Sequence, residues 1–397
     1  MSELLSAEEA LARVLALMAP TGIESVSLAE AVGRVLAAPI YAVRDQPPFP
    51  ASAMDGYAVR SEGASEGATL AVIAEVPAGA SFDGEVGPGE AVRIFTGAPV
   101  PAGADAILIQ EDANRNGDAL TVREAPKPGT YIRPAGLDFK AGSRLEAPRR
   151  LTSAEIALAA AMNAPFLEVR KKPVVSLIAT GNELVIPGGR PGPTQIISSN
   201  NYGLAALLGA CGATTEIQPI ATDDEGALKD ALDRAADADL IVTLGGASVG
   251  DYDLVRDVFG AEGLDLSFYK VAMRPGKPLM AGRVRGKAMV GLPGNPVSSM
   301  VLGHLLLRPA VDAMLGLPAA ALPRVSVPLG QSVEANGPRE HYMRARIEMT
   351  PDGPVAFPFP NQDSSVLSVL AAANGLVVRP PKAPAATAGD PVEVIHI

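Results

Sequence analysis

Polar and apolar positions change period several times along the chain, and each change marks a new kind of element. Ser6-Ala7-Glu8-Glu9 is a capping box, and behind it Leu11, Val14, Leu15 and Met18 recur at helical spacing until Pro20-Thr21-Gly22 stops the run. Ser27-Leu28-Ala29-Glu30 repeats the device before Val32, Val35 and Leu36, which predicts a second short helix. Asp45-Gln46-Pro47-Pro48-Phe49-Pro50 is extended, because each proline keeps its predecessor out of the helical region. From about residue 56 to 131, short apolar runs such as Leu70-Ala71-Val72-Ile73 and Ala106-Ile107-Leu108-Ile109 alternate with Gly and Pro turns, the pattern of a small β domain. Thr152-Ser153-Ala154-Glu155 opens another capped helix through Ala161, expected to pack beside the first.

Beyond Lys171-Lys172-Pro173 the pattern changes. Val174-Val175-Ser176-Leu177-Ile178-Ala179 is an unbroken apolar run of strand length, as a strand covered on both faces requires. A helix (about 200 to 210), a strand (214 to 220), a helix (224 to 236) and a strand (239 to 244) follow, which predicts a doubly wound parallel α/β domain. It closes with a long helix over about 296 to 314. The last eighty or so residues, rich in Pro, Val and Gly without helical period, read as a small β barrel or sandwich.

At 397 residues the chain is too long for one ordinary core, and two to four domains are expected. Aromatics make up 4% with no Trp, and the formal charge is -11, so neither a base-stacking platform nor a basic nucleic-acid face is expected. Net charge does not exclude an anionic ligand, which local amides and a few cations decide. The lone Cys211 cannot form an intramolecular disulfide or a cysteine-based metal cage, and His304, His341 and His396 have no metal-ligand spacing. No run of about 18 apolar residues predicts a membrane span, and the acidic Met1-Ser2-Glu3-Leu4-Leu5 lacks the signal-peptide pattern. A cytoplasmic protein is the expectation.

Candidate chemistry gathers at the carboxyl ends of the α/β strands, where open sheets of this class bind ligands. Val174 to Ala179 runs into Thr180-Gly181-Asn182-Glu183-Leu184. Leu240 to Leu244 runs into Gly245-Gly246-Ala247-Ser248-Val249-Gly250-Asp251-Tyr252-Asp253, where glycines and a small serine let backbone amides approach an anion. In Gly291-Leu292-Pro293-Gly294-Asn295-Pro296-Val297-Ser298-Ser299, Asn295 fits the N-cap and Pro296 the first helical position, leaving free amides facing outward; a plain helix start accounts for the same residues. Lys270, Arg274 and Lys277 place three cations on a strand end and its turn, suited to a phosphate or an oxyanion, or else to a solvated basic loop. The carboxylates Asp55, Glu183, Asp223, Asp251 and Asp253 lie in turns beside glycine-rich segments, and hard oxygens near phosphates are what Mg²⁺ requires. Asp223 has a purely structural alternative, because Thr222-Asp223-Asp224-Glu225 is itself a capping box. Asp55 has one too, as a turn residue bonding its own backbone beside Gly56, whose conformational freedom would shape that turn.

These segments, together with Ser52-Ala53-Met54-Asp55-Gly56-Tyr57-Ala58, Arg93-Ile94-Phe95-Thr96-Gly97-Ala98-Pro99-Val100-Pro101 and Arg274-Pro275-Gly276-Lys277-Pro278, follow one another in the order found in molybdopterin molybdenumtransferases. The chain resembles that family, and with it the C-terminal part of gephyrin, over essentially its whole length. The α/β motifs alone also resemble molybdopterin adenylyltransferase, the alternative reading. The 45–58 segment and the Thr96 turn, absent from that smaller enzyme, favour the first. A receptor-clustering scaffold would need long linkers that this sequence lacks.

The resemblance implies a multidomain α/β plus β fold: an elongated, discontinuous domain (1–50 and 132–171), an inserted β domain (51–131), a molybdopterin-binding α/β domain (172–318) and a barrel-like C-terminal β domain (319–397). It implies a homodimer with sites shared between subunits, and a Mg²⁺-dependent reaction of adenylylated molybdopterin with molybdate to give molybdenum cofactor and AMP. Asp55, Thr96, Glu183, Lys270, Arg274 and Lys277 take catalytic roles by motif. Asp138, Gly245, Gly246, Ser248, Gly250, Pro293, Gly294, Asn295, Pro296, Ser298, Arg344 and Ser364 bind substrate, and Glu183, Asp223 and Asp253 hold the metal. Transient contact with the partner adenylyltransferase and with apo-molybdoenzymes is a further expectation.

Overall fold

The computed structural model describes residues 4–246 and 254–397. Ser6 and Glu9 close the expected capping box, and helix Ala7–Leu17 buries Ala10, Leu11 and Val14. The second expected helix does not form. Ser27 and Glu30 do close their box, yet it caps one 3₁₀ turn, Leu28–Glu30. Gly33, at φ 74, then turns the chain into strand Val35–Leu36. Pairing with Arg149–Arg150 and Val169 buries both strand residues. Burial on a sheet outweighs a short local helix signal.

That strand belongs to a four-stranded sheet in the order Ile23–Ser27, Phe166–Arg170, Val35–Leu36, Arg149–Arg150. Segments on either side of the β insertion therefore share one core, built on Leu36, Leu145, Leu151, Leu167 and Val169. Helix Ser153–Ala161, capped by Thr152 and Glu155, packs Ala159 into it. The expected pairing of this helix with Ala7–Leu17 does not occur. Leu11 and Val14 sit in the α/β core with Val271, Leu306 and Val311 instead. An alanine-rich helix with one buried residue offers no apolar surface to match their stripe, whereas strand Met280–Val284 and helix Arg308–Met314 do.

The inserted sheet runs Ala106–Ile109, Gly56–Val59, Glu90–Ile94, Thr69–Val76, Ala119–Val122, Ala113–Asn116. Along Gly56–Val59, Tyr57 and Val59 enter one apolar cluster and Ala58 another, so both faces are covered. Strand Ala51–Ser52 pairs with Ile132–Arg133 where the chain enters and leaves this unit.

The next sheet has the order Thr214–Ile217, Val174–Ala179, Leu240–Leu244, Lys287–Leu292, Met280–Val284, Asp265–Tyr269. The first four strands are parallel and the last two pairings are antiparallel, Met280–Val284 running against the rest, so the sheet is mixed where an all-parallel one was expected. The reason is local: Arg285 (φ 49) and Gly286 (φ 78) form a two-residue turn with both central φ positive, which folds 280–292 into a hairpin. The long closing helix runs Pro296–Leu302 and Arg308–Met314 with a π turn, Gly303–Leu307, between them. Pro309 has no N–H to donate back into the preceding turn, which accounts for the wider winding there.

The last sheet contains Val325–Pro328, Glu340–Thr350, Gly353–Pro358, Gly375–Arg379 and Pro391–His396. It curls until Leu329 bridges Ala356, and it recruits Met273–Arg274 from the α/β unit, parallel to Glu340–His341. The architecture is the multidomain α/β plus β fold expected, with the C-terminal sheet barrel-like. No described helix is long and apolar enough to cross a membrane.

Candidate functional site

The carboxyl ends of three neighbouring parallel strands open onto one cleft of about 1040 Å³. Thr180 N donates to Leu244 O (2.9 Å) and Gly245 N to Leu292 O (3.1 Å), so the three glycine-bearing turns are fixed side by side. Gly246, at φ 69, could not carry a side chain: a Cβ there would lie 2.2 Å from Val255 Cγ2. At Gly181 (φ 144) a Cβ would meet the Glu183 carboxylate at 2.4 Å, so that glycine leaves the space the carboxylate occupies. Gly245, Gly246, Pro293, Gly294, Asn295 and Pro296 all line the cleft. Ser248, Gly250 and Asp253 lie outside the described residues.

Glu183 and Asp223 line the same cleft. Asn182 N donates to Asp223 Oδ2 (3.3 Å) and Asp223 N to Asn182 Oδ1 (3.1 Å), a reciprocal pair that fastens one turn to the next. The capping account of Asp223 does not hold. Asp224 is the N-cap of helix Glu225–Arg234, accepting from Ala227 N at 2.8 Å. Two hard carboxylates on one cleft suit Mg²⁺, which takes one or two protein carboxylates and completes its shell with water and substrate oxygens. Among the described residues no three His, Cys, Asp or Glu side chains converge on a metal position.

A second cleft, about 280 Å³, shares Pro278, Pro293 and Asn295 with the first. Arg274, Lys277 and Arg339 line it, with Ser298, Asp363 and Ser364. Asn295 occupies the N-cap position, but its side chain does not cap; Nδ2 donates to Ser364 Oγ at 3.1 Å and ties the α/β loop to the turn that follows strand Gly353–Pro358. Asn200 Nδ2 donates to Gly294 O at 2.7 Å from the other side. The Ser365 hydroxyl, then its amide, hold the Asp363 carboxyl below the usual carboxylate range.

Arg344 lines neither cleft. It is fully buried, with Nη2 donating to Asp363 O (3.0 Å), while Nε and Nη1 have no partner. Burial first, then Arg274, lowers its pKa. His341, which pairs with Arg274 across the parallel bridge, is also buried, with Nε2 unpartnered. Burial, then the cations Arg274, Arg344, Arg339 and Arg379, push it down to about 4, so the imidazole is neutral near pH 7. Lys270 is not brought in: at φ 73 it directs Nζ over the Tyr269 ring, 4.7 Å from its centroid. The expected trio of cations is thus Arg274 and Lys277 joined by Arg339.

Asp55, Thr96 and Asp138 stand apart from both clefts. Thr96 N and Oγ1 each donate to Asp55 Oδ1 at 2.7 Å, and these bonds, amide first, hold the Asp55 carboxyl below its ordinary value. Gly56 is not a turn residue in an unusual conformation, as expected from sequence; it begins strand Gly56–Val59. Glycine is needed there because a Cβ would lie 2.2 Å from Leu108 O. Asp138 lines a third cleft of about 540 Å³ with Arg44, Phe49, Gly97, Arg133 and Leu137.

No local signal marked Arg339, which lines the smaller cleft, or His341, buried beside Arg274; both are placed there by the pairing of strand Glu340–Thr350 with Met273–Arg274. Asn200 was missed too, although Ser198-Ser199-Asn200-Asn201 ahead of an apolar helix was a visible signal.

Three family models match in succession: the MoeA N-terminal region (domain I and II) over residues 5–163, a probable molybdopterin binding domain over 176–313, and the MoeA C-terminal region (domain IV) over 326–397. A protein named molybdopterin molybdenumtransferase 2 from Mycobacterium tuberculosis is 39% identical over 383 residues, covering 93% of this chain and 94% of its own. The molybdopterin molybdenumtransferase of a Nostoc species is 36% identical over 370 residues, covering 90% and 85%. The solved molybdopterin biosynthesis MoeA protein of Pyrococcus horikoshii superimposes over 100% of both chains with a TM-score of 0.85 at 28% identity.

Proposed function

The chain belongs to the molybdopterin molybdenumtransferase family of transferases, and from that premise we propose that it inserts molybdenum from molybdate into adenylylated molybdopterin, releasing AMP and forming molybdenum cofactor. The observation that carries this reading is the pair of clefts with one shared wall. The larger, lined by glycine turns and carboxylates, has room for a nucleotide-bearing pterin. The smaller, lined by Arg274, Lys277 and Arg339, suits a compact dianion such as molybdate. Pro278, Pro293 and Asn295 face both, so an anion in one lies beside a ligand in the other.

In this reading Glu183 and Asp223 hold Mg²⁺, with Asp253 as the third ligand. Bound there, Mg²⁺ would neutralise charge on the adenylyl phosphoanhydride. Gly245, Gly246 and Gly294 let backbone approach the phosphates closely, and Asn200 and Asn295 fix the loop between the clefts. Arg344 shapes the 361–364 loop from behind while adding positive potential under the oxyanion. No protein nucleophile is required. Asp55, Thr96 and Asp138 act on the partner subunit's clefts in a homodimer, which is why they line neither cleft of their own chain. Purified protein with adenylylated molybdopterin, molybdate and Mg²⁺ should release AMP and reconstitute an apo-molybdoenzyme. AMP release and reconstitution both absent at saturating molybdate would overturn the assignment.

A further inference from the structure

Arg93 bears on the reading above through Asp55 and rests on the role given there to that residue. Arg93 lies on strand Glu90–Ile94, directly opposite Tyr57 on strand Gly56–Val59. Its guanidinium carbon is 4.9 Å from the centroid of the Tyr57 ring and 4.9 Å from that of Phe95, so the planar cation is held by two aromatic faces. Nη1 donates to Gly56 O (3.2 Å) and Nη2 to Gln110 Oε1 (2.9 Å). Gln110 N in turn donates to Asp55 O at 3.2 Å. With Thr96 on the carboxylate, the Asp55 residue is gripped on its side chain, on its own carbonyl and on the carbonyl that follows it.

A side chain of this kind could be a surface ion-pair partner, but no carboxylate lies within salt-bridge distance of Arg93 among the described residues. Its bonds go to a backbone carbonyl and an amide oxygen around Asp55. We propose that Arg93 is a positioning residue for the reaction: held against the Tyr57 and Phe95 rings, its two-pronged guanidinium fixes the Gly56 carbonyl and the Gln110 side chain, on the two segments that flank and hold Asp55. Lysine cannot substitute. It keeps the charge but is a point donor that cannot lie flat between two rings while reaching two acceptors. The same cation adds to Thr96 in favouring the ionised form of Asp55, the Thr96 bonds contributing more.

The test is steady-state and single-turnover kinetics of molybdate-dependent AMP release in Arg93→Lys, Gln110→Met, Asp55→Asn and the double variant Asp55→Asn/Arg93→Lys. Misplacing a reacting group by a fraction of an ångström lowers turnover without weakening substrate binding, so Arg93→Lys should lose about tenfold to a hundredfold in kcat with KM for the adenylylated pterin little changed. Gln110→Met, which leaves both rings and the cation in place, should lose less in the same direction, and it keeps the test open should Arg93→Lys fail to fold. The double variant should be no slower than Asp55→Asn alone, because a positioning residue acts through the group it positions. Parental kcat in both Arg93→Lys and Gln110→Met, or a double variant slowed by the full product of the single effects, would overturn the proposal. An Asp55→Asn enzyme as active as the parent would instead overturn the reading of Asp55 beneath it.

Discussion

Asp55 accepts two hydrogen bonds through a single oxygen, Oδ1, from Thr96 N and Oγ1. Asparagine can present the same oxygen to the same donors, so Asp55→Asn should melt close to the parent. If the charge serves the reaction, that variant should have lost molybdenum insertion; normal reconstitution of an apo-molybdoenzyme by Asp55→Asn would return the residue to a turn-holding role. His341 makes the stability of the fold depend on pH. Its folded pKa is lowered from 6.5 to about 4, so between these values the unfolded chain binds the proton and the folded chain does not. The stability this contributes is full above pH 6.5 and is lost as pH falls toward 4. Denaturant titrations across that window should show a shallower decline in His341→Gln than in the parent. Equal slopes would mean the imidazole is protonated in the fold.

At the scale of elements, capping separates two adjacent carboxylates with different duties. Asp224 caps helix Glu225–Arg234, whereas Asp223 faces the cleft and joins the Asn182 turn. Asp224→Ala should therefore lower the melting temperature with little change in the Mg²⁺ needed for half-maximal AMP release. Asp223→Ala should raise the Mg²⁺ requirement and leave helix stability nearly intact. The opposite pattern, read by thermal melts beside Mg²⁺ titrations, would assign Asp223 to the helix. The Ser27 box teaches the same lesson. A correct local signal yielded only one turn, because Val35 and Leu36 are buried better in a sheet.

For the whole molecule, the clefts of the α/β unit and the Asp55–Thr96 pair belong to separate parts of the chain. A homodimer that brings one subunit's pair to the other's clefts predicts a dimer by sedimentation and a specific complementation. Mixing Asp55→Ala with Lys277→Ala subunits under exchange conditions should restore part of the activity that each lacks alone, since a mixed dimer carries one site free of both changes. A fully active monomer, or mixtures that stay inactive after proven exchange, would exclude shared sites.

The sequence by itself determined much of this. Unbroken apolar runs specified the buried parallel strands, and capping boxes specified helices Ala7–Leu17 and Ser153–Ala161. Glycine-rich strand ends specified the turns that line the larger cleft. Those are local properties, set by period, caps and the steric freedom of glycine. What tertiary structure decided is long-range. It put Ala7–Leu17 against the α/β core rather than against Ser153–Ala161, because only the former offered an apolar face wide enough for Leu11 and Val14. It turned Lys270 onto Tyr269 and brought Arg339 in its place, through a pairing between strands 67 residues apart, Met273 with Glu340. It buried Arg344 and His341 beside the cleft lined by Arg274, Lys277 and Arg339, where exclusion of water governs charge and local pattern carries no record of it.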